Sequence, residues 1–62
     1  MARYSGTAHD GDFNEALRLA VEAAKEGLGS TLVRWTLLVV FGSNGGTTGE
    51  NDLTVEIEAS VP

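Results

Sequence analysis

The chain has 62 residues, with nine Asp and Glu against four Lys and Arg, one His and no Cys, for a net charge of −5. That length holds a single domain, residues 1–62. The composition excludes a disulfide staple, a thiolate site and a poly-histidine zinc site within one chain. The acidic balance argues against nucleic acid and against an anionic membrane surface, both of which call for clustered cations.

The longest apolar stretch, residues 37–41, is far too short to span a bilayer, and no secretory signal pattern opens the chain. The expectation is a cytoplasmic protein. A domain this small without covalent staples is hard to stabilise alone, so self-association is expected.

In chain order, residues 3–7 read as a short first strand favoured by Tyr4 and weakened by Gly6. A loop follows through Gly11. Residues 12–26 are the clearest helix. Asp12 stands in the cap position with Glu15 three residues later, and Phe13, Ala16, Leu17, Ala20, Val21, Ala24 and Leu28 form one apolar stripe. Arg18 and Glu22 sit four apart on the other side. The alanines on the stripe allow a sheet to approach the helix backbone closely. Gly27 is the expected stop and Gly29 the exit.

Residues 31–41 read as a strand of unusual character. Strict alternation places Val33, Trp35, Leu37, Val39 and Phe41 on one face and Leu32, Arg34, Thr36, Leu38 and Val40 on the other. Both faces are apolar, the pattern of a strand covered on both sides. One helix covers one side, which leaves the other to a further subunit or a ligand. Residues 42–51 form a Gly-rich connection. Residues 53–61 alternate strictly, with Leu53, Val55, Ile57, Ala59 and Val61 against Thr54, Glu56, Glu58 and Ser60, as a half-buried strand does. The expected fold is α+β: β-α-β-β, a three-stranded antiparallel sheet with one helix packed on it.

Trp35 is the only Trp, and it suits either an aromatic platform for a flat ligand or an apolar contact. His9, Asp10 and Asp12 cluster around the helix start, but their spacing is not that of a calcium loop, and capping explains Asp12. The glycines at 42–46 lack the Lys of a phosphate loop and read as a hairpin tip. Glu56 and Glu58 read as solvated charges rather than an ion site or an acid-base pair, and Arg34 as an ion-pair partner. No nucleophile, base and orienting group fall together, so no enzyme activity and no catalytic residue are expected.

Gly6-Thr7, the run Phe13-Asn14-Glu15-Ala16, Val33-Arg34-Trp35 with Leu38-Val39-Val40, and the alternating segment from Val55 to Val61 together resemble the dodecin family. Dodecins are small β-α-β-β proteins that assemble into hollow dodecamers and bind flavins. The resemblance implies a non-enzymatic flavin-binding and storage protein, a homo-oligomer with the isoalloxazine stacked on Trp35 at a subunit interface. Where the family carries a glutamine that bonds the ring edge, this chain has Thr54, which the resemblance makes the second cofactor-binding residue. The chain contains no Gln, and no basic residues lie around 42–49 to hold a phosphate. A riboflavin-type ligand is therefore expected rather than FMN. The alternative is a dodecin-like shell without flavin, structural or binding another small ligand or a metal ion.

Overall fold

The computed structural model describes residues 2–46 and 49–62. Four elements follow in the order β1 (Ala2–Ala8), α1 (Phe13–Leu28), β2 (Arg34–Gly45) and β3 (Glu50–Ser60). The strands form one antiparallel sheet in the order β1-β3-β2, and α1 packs on β1 and β3. The chain is thus a small α+β protein with the expected β-α-β-β order.

The centre of the sheet is the strand with the cleanest alternation. Val55, Ile57 and Ala59 of β3 are buried beneath α1, while Thr54, Glu56, Glu58 and Ser60 point to the opposite, outer face. From above, α1 contributes Ala16, Ala20 and Ala24, all fully buried. Alanine on the contact line lets the helix settle onto β1 until only glycine fits beneath it. A Cβ built on Gly6 would collide with the Ala16 carbonyl and the Ala20 amide.

The helix starts as expected. One carboxylate oxygen of Asp12 accepts hydrogen bonds from the amides of Asn14 (2.9 Å) and Glu15 (3.4 Å). Arg18 and Glu22 pair at 3.0 Å on the exposed side. The C-terminus corrects the expected stop at Gly27: the helix continues to Leu28, and Gly29 caps it in the left-handed region at φ 66°. Gly29 N–H donates to the Glu26 carbonyl (3.3 Å) and Ser30 N–H to that of Lys25 (3.1 Å), a Schellman closure. Gly27 has a different reason to be glycine, since the Tyr4 ring of β1 lies 2.6 Å from where its Cβ would stand.

The second strand departs most from expectation. It begins at Arg34 rather than at 31, because the Ser30 hydroxyl donates to the Leu32 carbonyl (2.8 Å) and accepts from the Leu32 amide (3.2 Å). This local turn holds the segment out of the ladder. At its far end β2 runs on to Gly45, and Asn44 and Asn51 pair across the ladder through their amides at 3.2 Å. The connection expected over 42–51 shrinks to residues 46–49, of which Thr47 and Thr48 lie outside the described residues.

A β-bulge interrupts β2. Leu37 pairs with Ile57, but Val39 pairs with Glu56, so Leu38 is an extra residue. Directly paired residues share a face. Trp35 (opposite Ala59), Leu37 (Ile57) and Val40 (Val55) therefore lie on the helix side. Arg34, Thr36, Val39 and Phe41 lie on the outer side, opposite Ser60, Glu58, Glu56 and Thr54. The face that strict alternation assigned to Val39 and Phe41 is thereby overturned.

No residue of β2 enters the buried core, which consists of Ala8, Ala16, Ala20, Ala24, Val55, Ile57 and Ala59. Tyr4, Phe13, Leu17, Val21, Leu28 and Val33 pack around it, partly buried. The radius of gyration, 12.5 Å, exceeds the roughly 11 Å of a compact chain this long. The molecule measures 44 × 17 × 15 Å.

Candidate functional site

The feature that sets this chain apart is β2, an edge strand left bare on both faces. From Trp35 to Phe41, every apolar side chain is exposed: Trp35 at 42%, Val39 at 46%, Phe41 at 54%, with Leu37, Leu38 and Val40 close to these values. Six such side chains leave on the order of 500 Å² of apolar surface on one strand, near the upper end of what single soluble chains expose. The cause lies in the topology. The helix has one contact line, it is spent on β1 and β3, and β2 is placed beyond its reach.

Trp35 stands on the helix-side face of this strand, opposite the small Ala59. Its indole is 42% exposed and lines neither of two shallow depressions in the surface. A shallow depression of about 440 Å³ lies at the helix C-terminus, lined by Glu22, Lys25, Glu26, Gly29, Ser30 and Thr31, away from Trp35. A second, of about 410 Å³, lies beside Thr7, Ala8, His9, Asp10, Glu15 and Leu19. A flat ring on Trp35 would be covered by this chain on one side only.

Thr54 is not brought to Trp35. It pairs with Phe41 and Thr7 on the outer face, five residues along β3 from Ala59, or roughly 17 Å. Its hydroxyl lies 2.9 Å from that of Thr7, which joins the central strand to β1. Thr54 and Ala59 are an odd number of residues apart on β3, so alternation along that strand puts Thr54 on the face opposite Trp35, and one chain cannot present both to the same ring. The bulge at Leu38 turns Phe41 away from Trp35, and it leaves no periodic signature in a strand that is apolar at almost every position.

The acidic groups fall into two sets. Around the helix start, ligand atoms of Asp10, Asp12 and Glu15 lie within 4.8 Å of one another. Two of these carboxylates already serve the backbone, since Asp10 accepts from the Asp12 amide at 3.1 Å and Asp12 caps α1. His9 turns away from the cluster and contacts Asp52 of β3 at 2.8 Å, and Asn51 donates to the Asp10 carbonyl at 3.0 Å. These bonds tie the β1–α1 loop to the hairpin. On the outer sheet face, Glu56 pairs with Arg3 at 3.8 Å. Among the described residues, neither Arg34 nor Glu58 takes part in an ion pair.

No described helix is long and apolar enough to cross a membrane. Comparison with family models, curated proteins and solved structures yields no significant match.

Proposed function

We propose that this chain is a non-enzymatic flavin-binding and storage protein of the dodecin type, built as a homo-oligomer, a dodecamer as in that family. The observation that carries the reading is Trp35, a half-exposed indole on an edge strand bare on both faces. An isoalloxazine stacked there gains the contact area of a large aromatic pair, and a second copy supplies the wall that this chain lacks. Stacking on the indole quenches the excited flavin and restrains its photochemistry, which suits storage. Because Thr54 lies on the opposite face, it meets such a ring only when a neighbouring copy supplies it. With no Lys or Arg over residues 42–49 to hold a phosphate, a neutral riboflavin-type ring is favoured over FMN.

The test is riboflavin titration of purified protein, followed by flavin fluorescence, with the particle mass measured by light scattering on the same sample. Quenching by the native protein that is lost in Trp35→Ala, at unchanged mass, supports the reading. Unquenched riboflavin refutes the ligand. The second reading, a colourless dodecin-like shell that takes no flavin, is favoured by the absence of Gln and by the separation of Thr54 from Trp35. It predicts the same large particle without a flavin response.

A further inference from the structure

We infer that the outer face of the sheet is an isologous contact between two copies of this chain, centred on Val39 and Phe41 and closed by reciprocal Arg34–Glu58 ion pairs. The inference rests on the homo-oligomer part of the proposed function and is independent of flavin.

Four observations carry it. The first is surface area. Val39 and Phe41 stand beside each other's flanks on the outer face, each about half exposed, and no element of the chain covers them. An interface of standard size takes about 800 Å² per partner. On this face Val39 and Phe41 lie on the edge strand β2, flanked by Thr36 and by Thr54 and Glu56 of the central strand, so a two-fold contact centred on them brings the β2 strands of the two copies together and reaches β3 with its polar and charged residues.

The second is charge. The chain carries −5, but this face between Arg34 and Phe41 carries Arg3, Arg34, Glu56 and Glu58, for a sum of zero. The whole acidic excess lies on the helix, the loop before it and the hairpin end, as seven carboxylates against Arg18 and Lys25. Two copies therefore approach through this face without net repulsion.

The third is complementarity. Arg3 takes Glu56, while Arg34 and Glu58 remain unpaired among the described residues although both point from the same face. A two-fold axis between the copies joins Arg34 of each to Glu58 of the other, so one unpaired cation and one unpaired anion satisfy each other twice.

The fourth is the bulge. An edge strand invites edge-to-edge pairing, and a bulge is a device that frustrates it. Leu38 breaks the free edge of β2 into two short ladders, so association through the face is favoured over continuation of the sheet.

The test uses flavin-free protein and the absence of native cysteine. Thr36→Cys, Val39→Cys and Phe41→Cys are each treated with a short bismaleimide, with Glu22→Cys on the exposed helix side as reference. At least one outer-face cysteine is expected to form covalent dimer ten-fold faster than the reference. Arg34→Glu is expected to reduce the particle mass at least two-fold at moderate salt, and Arg34→Glu with Glu58→Arg to restore it. The inference is overturned if all three outer-face cysteines cross-link no faster than Glu22→Cys, or if the charge swap restores nothing that the single reversal removed. The cysteine series settles the matter even where Arg34→Glu disturbs folding, which far-UV circular dichroism reports. A large native particle without outer-face cross-linking refutes this contact alone, and a native monomer refutes the homo-oligomer as well.

Discussion

Replacing Gly6 with Ala tests the packing that places everything else. A Cβ at this position meets the Ala16 carbonyl, lies 2.5 Å from the Ala20 amide nitrogen and 2.8 Å from Leu19 Cβ. Two of the three obstacles are helix backbone, which cannot rotate aside as a side chain does. Relief requires α1 to lift from β1, and that loosens the Ala16, Ala20 and Ala24 contacts with Val55 and Ile57 together. Overpacking of this kind costs about 1–3 kcal/mol, offset by about 0.4–1 kcal/mol from the stiffer unfolded chain. The expected net loss is about 1.3 kcal/mol, which for a chain of this size lowers Tm by roughly 5–10 °C. Gly27→Ala is the internal contrast. There the obstacle is the far end of the Tyr4 ring rather than helix backbone, and helix propensity offsets its displacement by roughly 1 kcal/mol, so a smaller loss is expected. Thermal melts of both variants at one protein concentration, followed by circular dichroism, read the difference. A Gly6→Ala protein as stable as the native one, or less affected than Gly27→Ala, would refute the close seating of α1 on β1.

Ile57→Ala empties the largest fully buried side chain beneath the helix and is expected to cost about 2–5 kcal/mol in a urea titration; a loss below about 1 kcal/mol would place Ile57 outside the core. Asp12→Ala removes the acceptor that holds the Asn14 and Glu15 amides and is expected to cost about 1 kcal/mol, with Asp12→Asn close to native; equal losses in both would show that charge rather than the capping bond matters. Thr54→Val leaves the Thr7 hydroxyl without its partner and is expected to cost about 1 kcal/mol in the same titration. Thr7→Val with Thr54→Val should recover part of that loss, and a double variant worse than the sum of the singles would contradict the pairing.

The local signals were legible in the residues themselves. Asp12 caps the helix, the alanine and leucine stripe faces the sheet, and the alternation of Val55, Ile57 and Ala59 marks a half-buried strand. Each depends on near neighbours along the chain and on a fixed period, so no knowledge of distant contacts is needed. The helix end was misplaced at Gly27 because two glycines compete there. Only the position of Tyr4 across the fold explains why the first is glycine without being the cap.

The candidate site belongs to the other class. That Trp35 is an aromatic on an apolar strand was plain from sequence, but the cover by the helix expected for one face of that strand is not met, since β2 is exposed on both faces. The strand order put β3 in the middle and β2 at the edge, and the bulge at Leu38 turned Val39 and Phe41 away from Trp35. Both follow from tertiary structure. Sheet order is decided by which strands the helix can cover at once, and a register shift is decided by the partner strand. In a segment apolar at nearly every position, no alternation remains to announce either.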